Sequence, residues 1–81
     1  MSRLRVLSGG EVLKILGEFG FQKFAQRGSH IKLRRISSSG RTQTLTVPNY
    51  DEIDRGTLHA IYRQASRFIP ESDLRNKFFT Q

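Results

Sequence analysis

The spacing of apolar residues changes period twice along this chain. In "SGGEVLKILGEFGF", Val12, Ile15, Leu16 and Phe19 recur at helical spacing, and Leu13 broadens the stripe. Ser8 followed three residues later by Glu11 is the capping-box pattern that opens a helix, and Gly20 can take the positive φ that closes one. From Gln22 the period shortens to two. A first strand is expected over about Gln22–Gln26, with Arg27-Gly28-Ser29 as a tight connection. In the next strand Ile31, Leu33 and Arg35 alternate against His30, Lys32 and Arg34. "SSSGR" is a polar loop of turn formers. Leu45 and Val47 then alternate against Thr44 and Thr46 until Pro48 ends the third strand.

The helical period returns after "NYDEI". Asp54 is placed to cap a second helix whose stripe is Leu58, Ile61, Tyr62 and Ala65. A short last helix should start at Pro70 or Ser72, pinned by Leu74 and Phe78 at i,i+4. The order is α-β-β-β-α with a C-terminal helix. This predicts an α+β fold in which a three-stranded antiparallel meander carries two helices on one face. Eighty-one residues hold one modest core, so a single domain is expected over 1–81, with its core at about 7–66 and a helical extension at about 67–81. In that extension Phe68, Ile69, Phe78 and Phe79 either close the core or present an apolar surface, and burial is the expectation for so small a domain.

Burying Ile31, Leu33, Leu45 and Val47 against the helices leaves His30, Lys32, Arg34, Thr44 and Thr46 on the opposite, wet face. Charge sharpens this picture. The net charge is +7, yet no Asp or Glu occurs between Phe19 and Tyr50, where Lys23, Arg27, Lys32, Arg34, Arg35 and Arg41 all lie. All seven acidic residues are elsewhere. A basic segment concentrated on one sheet face suits a phosphate backbone; the plainer reading is a solvated basic sheet. The absence of Cys excludes disulfides and thiolate zinc sites. The N-terminal apolar run is too short for a signal peptide, and no run suffices to span a membrane, so a cytoplasmic protein with no membrane partner is expected.

A lone imidazole among cations is enough for one kind of chemistry. RNA carries its own nucleophile in the 2′-hydroxyl, so a base that titrates near neutrality and cations to hold the crowded phosphate can cleave it without metal or cofactor. His30 is therefore the candidate catalytic residue. Lys32 and Arg34 are the candidate phosphate ligands on its face, with Lys23 and Arg27 from the adjoining strand and turn and Gly28 and Ser29 from the turn itself. His30 as an ordinary strand residue beside a turn is the competing reading. Asp51, Glu52 and Asp54 are the only acidic cluster; acids at a helix start complement its dipole more often than they hold Mg²⁺. No P-loop, dinucleotide fingerprint or nucleophilic-serine motif is present.

"SGGEVLKILGEFGF", "RGSHIKLRR", "TLTVP" and "RGTLHAIYRQA", in that order and with compatible spacings, resemble the HicA (YcfA-like) toxins of bacterial toxin–antitoxin pairs, from about Leu7 to Ala65. The resemblance implies a double-stranded-RNA-binding-domain-like fold and a ribosome-independent mRNA interferase that arrests growth until a HicB-type antitoxin neutralises it. The catalytic histidine of the family's G-S-H motif is His30 here, after Gly28 and Ser29. Many members also carry a histidine shortly after V-P, where this chain has Asn49 and Tyr50, so a mechanism needing two histidines is in doubt. Its other histidine, His59, is expected on the solvent side of the second helix. RNA and a HicB-type antitoxin are the expected partners, and the free chain is expected to be monomeric. A non-catalytic RNA-binding module is the alternative, and a purely protein-binding domain with a basic face is a third.

Overall fold

A computed structural model describes residues 2–80. In chain order the elements are β1 (Arg3–Leu4), α1 (Gly9–Glu18), β2 (Gln22–Arg27), β3 (His30–Ile36), β4 (Thr42–Pro48), α2 (Arg55–Ala65), α3 (Glu71–Phe78) and β5 (Phe79–Thr80). The α+β layout and the three-stranded antiparallel sheet, ordered β2-β3-β4, are those the hydrophobic spacing predicts.

Each helix start is set by short-range chemistry. At α1 the Ser8 hydroxyl accepts from the Glu11 amide at 3.1 Å while the Glu11 carboxylate accepts from the Ser8 amide at 2.9 Å, so the capping box is complete. The same helix ends in a Schellman turn: Phe21 N–H reaches the Leu16 carbonyl and Gly20 N–H the Gly17 carbonyl, with Gly20 at φ +93°. Asp54 caps α2 by accepting from the Thr57 amide at 3.1 Å. Of the two expected starts for α3, the chain uses Pro70, which is the N-cap residue.

One core holds the molecule together. Ile31, Leu33, Leu45 and Val47 on one side of the sheet pack with Val12, Ile15 and Leu16 of α1 and Leu58, Ile61, Tyr62 and Ala65 of α2. Ile69, Leu74 and Phe78 are buried in the same cluster, while Phe68 and Phe79 are half-buried against it. The C-terminal segment therefore closes the core, the expected outcome. Its end is tied down by β5, which pairs antiparallel with β1 through Arg3–Thr80 and Leu4–Phe79. Nothing in a short-range pattern shows that pairing. Gly9 seats α1 on the end of β4, where a Cβ would collide with the Pro48 carbonyl oxygen, so no side chain fits there.

Two details depart from the expected strands. β2 extends one residue further than expected and takes in Arg27, leaving Gly28 and Ser29 as a two-residue turn. Gly28 lies at φ +58° in the first central position, where a type II′ hairpin turn needs a glycine. β2 also carries a bulge at Phe24, between the pairs Lys23–Leu33 and Ala25–Lys32. The bulge breaks the two-residue alternation, so Lys23 and Arg27, which an unbroken strand would put together, end on opposite faces.

Candidate functional site

The open face of the sheet is assembled by β3 and its neighbours. His30, Lys32 and Arg34 alternate with the buried Ile31 and Leu33 and are all exposed. At about 3.3 Å per residue, His30 and Arg34 stand roughly 13 Å apart along the strand. Cross-strand register supplies the rest. His30 is directly opposite Arg27 on β2 and Pro48 on β4, Lys32 opposite Ala25 and Thr46, and Arg34 opposite Gln22 and Thr44. Directly paired residues share a face at about 5 Å between Cβ atoms, so the nearest cation in sequence register to the imidazole is Arg27. No carboxylate comes from these three strands.

Lys23 is set apart by the bulge. The bulge places it opposite Leu33, on the helix side of the sheet, where its ammonium donates to Gln26 Oε1 at 2.7 Å. It does not share the face of His30. Arg35 behaves as the alternation predicts. It turns toward the helices, where its guanidinium donates to Gln43 Oε1 at 2.7 Å and to the carbonyls of Phe19 and Phe68 while lying 4.8 Å over the Phe21 ring. Arg34 makes none of these contacts and instead stacks its guanidinium 4.7 Å from the centre of the Phe24 ring. The two ion pairs among the described residues, Arg75–Glu71 and Lys77–Glu18, both involve α3 and leave the cations of the sheet face to water.

The turn before His30 is fixed from two sides. Asn49 N–H donates to the Ser29 carbonyl at 2.6 Å, and the Gln26 side-chain amide donates to the Gly28 carbonyl at 3.0 Å. Gly28 and Ser29 thus hold the imidazole at the start of β3, between the end of β2 and the end of β4.

α2 adds a wall that the strand pattern does not reveal. A cleft of about 300 Å³ lies between the sheet face and this helix, lined by His30, Thr46 and Pro48, by Tyr50, and by Asp54, Thr57 and Gln64 among others. The imidazole therefore borders a recess rather than an open plane. Tyr50, two residues after the strand ends, stands in that recess and is 44% exposed. Its position after V-P was the only available sign. Asp54 also lines the cleft, but its carboxylate is held below the usual range by hydrogen bonds from Thr57 and serves as the cap of α2. Among the described residues no three His, Cys, Asp or Glu side chains gather as a metal-holding group. His59 is exposed on α2, as expected, and borders a separate cleft with Arg55 and Arg63. The two histidines do not meet.

Among the described residues no helix is long and apolar enough to cross a membrane. A comparison with models of known protein families matches residues 9–66 to one described as the HicA toxin of bacterial toxin–antitoxin systems. The matched span runs from the first residue of α1 to just past the end of α2 and contains the whole sheet and His30. No curated protein and no solved structure matches the chain.

Proposed function

This chain belongs to the HicA family of toxins from bacterial toxin–antitoxin systems, and from that premise we propose that it is an mRNA interferase in which His30 cleaves RNA held on the basic sheet face. The observation that carries the reading is the position of His30. It is exposed, directly opposite Arg27, on the same face as Lys32 and Arg34, and it lines a cleft of about 300 Å³.

The chemistry needs few parts. His30 accepts the proton of a ribose 2′-hydroxyl, and O2′ attacks the adjacent phosphorus. The O2′–P bond forms, the P–O5′ bond breaks, and the resulting imidazolium is the acid at hand for the departing O5′. The products are a 2′,3′-cyclic phosphate and a 5′-hydroxyl. Arg27 and Lys32 flank the imidazole and stabilise charge that builds on the phosphate oxygens, a kind of stabilisation worth about 3–4 kcal/mol per well-placed donor in other enzymes. Arg34 holds the strand further along. Gly28 and Ser29 shape the turn that presents the imidazole. No cofactor enters the scheme.

The family implies a cognate antitoxin. A HicB-type antitoxin that neutralises this chain would cover the same cations, so RNA and antitoxin should compete. Incubating the purified chain with a single-stranded RNA in EDTA tests the proposal. Fragments ending in cyclic phosphate, lost when the 2′-hydroxyl at the cut is replaced by hydrogen, are expected. RNA that is retarded but intact would contradict cleavage and leave a binding module.

A further inference from the structure

Six Phe and two Tyr make up the aromatic residues of this chain. Phe21, Tyr62 and Phe78 are buried and Phe19, Phe68 and Phe79 are half-buried against the core. Only Phe24, at 43%, and Tyr50, at 44%, are exposed. A domain this small gains stability from every ring it buries, so two rings left in water call for a reason. Both lie at the basic face, one at each end of the row His30–Lys32–Arg34. Tyr50 stands in the cleft with His30. Phe24 is the bulge residue of β2, between the pairs Lys23–Leu33 and Ala25–Lys32, and it lies under the Arg34 guanidinium at a cleft of about 330 Å³ that Lys23 and Arg35 also line.

We propose that Phe24 and Tyr50 are stacking platforms for two bases of a single RNA strand whose backbone runs along His30, Lys32 and Arg34. This rests on the RNA-cleaving reading and names the form of substrate that the site takes. A ring is useful to a nucleic acid only where a base can be laid on it, and in a duplex the base faces are already stacked inside the helix. Cations alone would bind a duplex equally well. Exposed rings bracketing the cations select an unpaired strand, because only there can bases turn toward the protein. The Arg34 guanidinium covers part of Phe24 in the free protein and leaves its remaining surface to a base, while the edge of the guanidinium points its donors at phosphate. At the other end, a base seated on Tyr50 fixes the nucleotide next to His30, so Tyr50 positions the reacting phosphate and does not itself exchange protons with it.

Binding measured in a His30→Ala background separates this proposal from the question of cleavage, since the RNA then stays whole. Single-stranded oligoribonucleotide is expected to bind more tightly than a duplex of the same sequence. Tyr50→Ala and Phe24→Ala should each weaken single-strand binding by about 5- to 100-fold and leave duplex binding unchanged. Tyr50→Phe and Phe24→Tyr should keep the wild-type affinity, because stacking needs the ring and not the hydroxyl. Equal affinity for both RNA forms, or alanine variants that bind single strands as the parent does, would overturn the proposal. So would alanine variants that keep RNA affinity and lose only the antitoxin, since the rings would then serve a protein interface. None of these results depends on whether the wild-type chain cuts RNA.

Discussion

On the helix side of β3 the Arg35 guanidinium donates to three oxygens and lies over Phe21, joining the end of α1 to the segment after α2. On the other side of the same strand Arg34 is exposed and lays its guanidinium over the Phe24 ring. The two residues are consecutive and identical, and their surroundings assign them different work. The same division runs along the whole strand: Ile31 and Leu33 are buried in the core while His30 and Lys32 face water. A charged residue that is fully paired reports on architecture. One left unpaired beside others of its sign raises the energy of the fold slightly, and its value lies in what it can bind.

Substitutions across the strand should separate the two sides cleanly. Leu33→Ala empties part of the core and should cost roughly 3 kcal/mol, lowering Tm by about 12–24 °C in a domain of this size. Lys32→Ala, one residue away, should move stability by less than about 0.5 kcal/mol. If thermal unfolding found the two variants equally weakened, the division between the faces would be wrong.

The arginine pair gives a finer test with a smaller effect. Arg35→Ala strips donors from the half-buried carbonyls of Phe19 and Phe68 and should cost about 2 kcal/mol, because hydrogen bonds from a charged donor contribute about 1.5–3 kcal/mol and water replaces only some of them. Arg34→Ala should leave the unfolding curve in place and weaken RNA binding instead. With one phosphate of a single strand no longer neutralised, the slope of log affinity against log salt should become shallower by about 0.7.

Acid should act on the scaffold. Hydrogen bonds from Ser8 hold the Glu11 carboxyl below its usual range, those from Thr57 do the same for Asp54, and the Tyr62 hydroxyl does so for Glu71. Each of these acids sits at the start of a helix. A depressed folded-state value means that the stabilisation is present above the ordinary values of 4.5, 3.8 and 4.5, and is lost as pH falls through the lower folded ones. The Tyr62 phenol, raised by burial and by Glu71, acts with the opposite sense: its stabilisation is complete below pH 10 and fades only above it. Unfolding midpoints measured from pH 7 downward should therefore hold until about pH 4.5 and then fall by a few degrees. Glu71→Gln should remove part of that decline.

Much of this was written in the spacing of residues. A two-residue period in β3 and β4, and a helical one in α1 and α2, follows directly from which side must meet hydrocarbon, and that is enough to set His30, Lys32 and Arg34 on one face. What escaped is what spacing cannot encode. A bulge is a single unpaired residue, so nothing in "QKFAQR" announces that Phe24 will be displaced and Lys23 turned away. The pairing of β1 with β5 joins residues more than seventy apart. The recess beside His30 depends on where α2 comes to rest against the edge of β4, a tertiary fact that brings Tyr50 to the imidazole.

The central claim is that the imidazole of His30 performs chemistry for which the rest of the fold is support. It is tested most directly by the His30→Ala variant, comparing its RNA cleavage with that of the parent chain while its Tm and RNA affinity are followed in the same preparations. The account predicts that cleavage falls by about two to four orders of magnitude with both other quantities unchanged. Cleavage at the parental rate by a chain without that imidazole would contradict it.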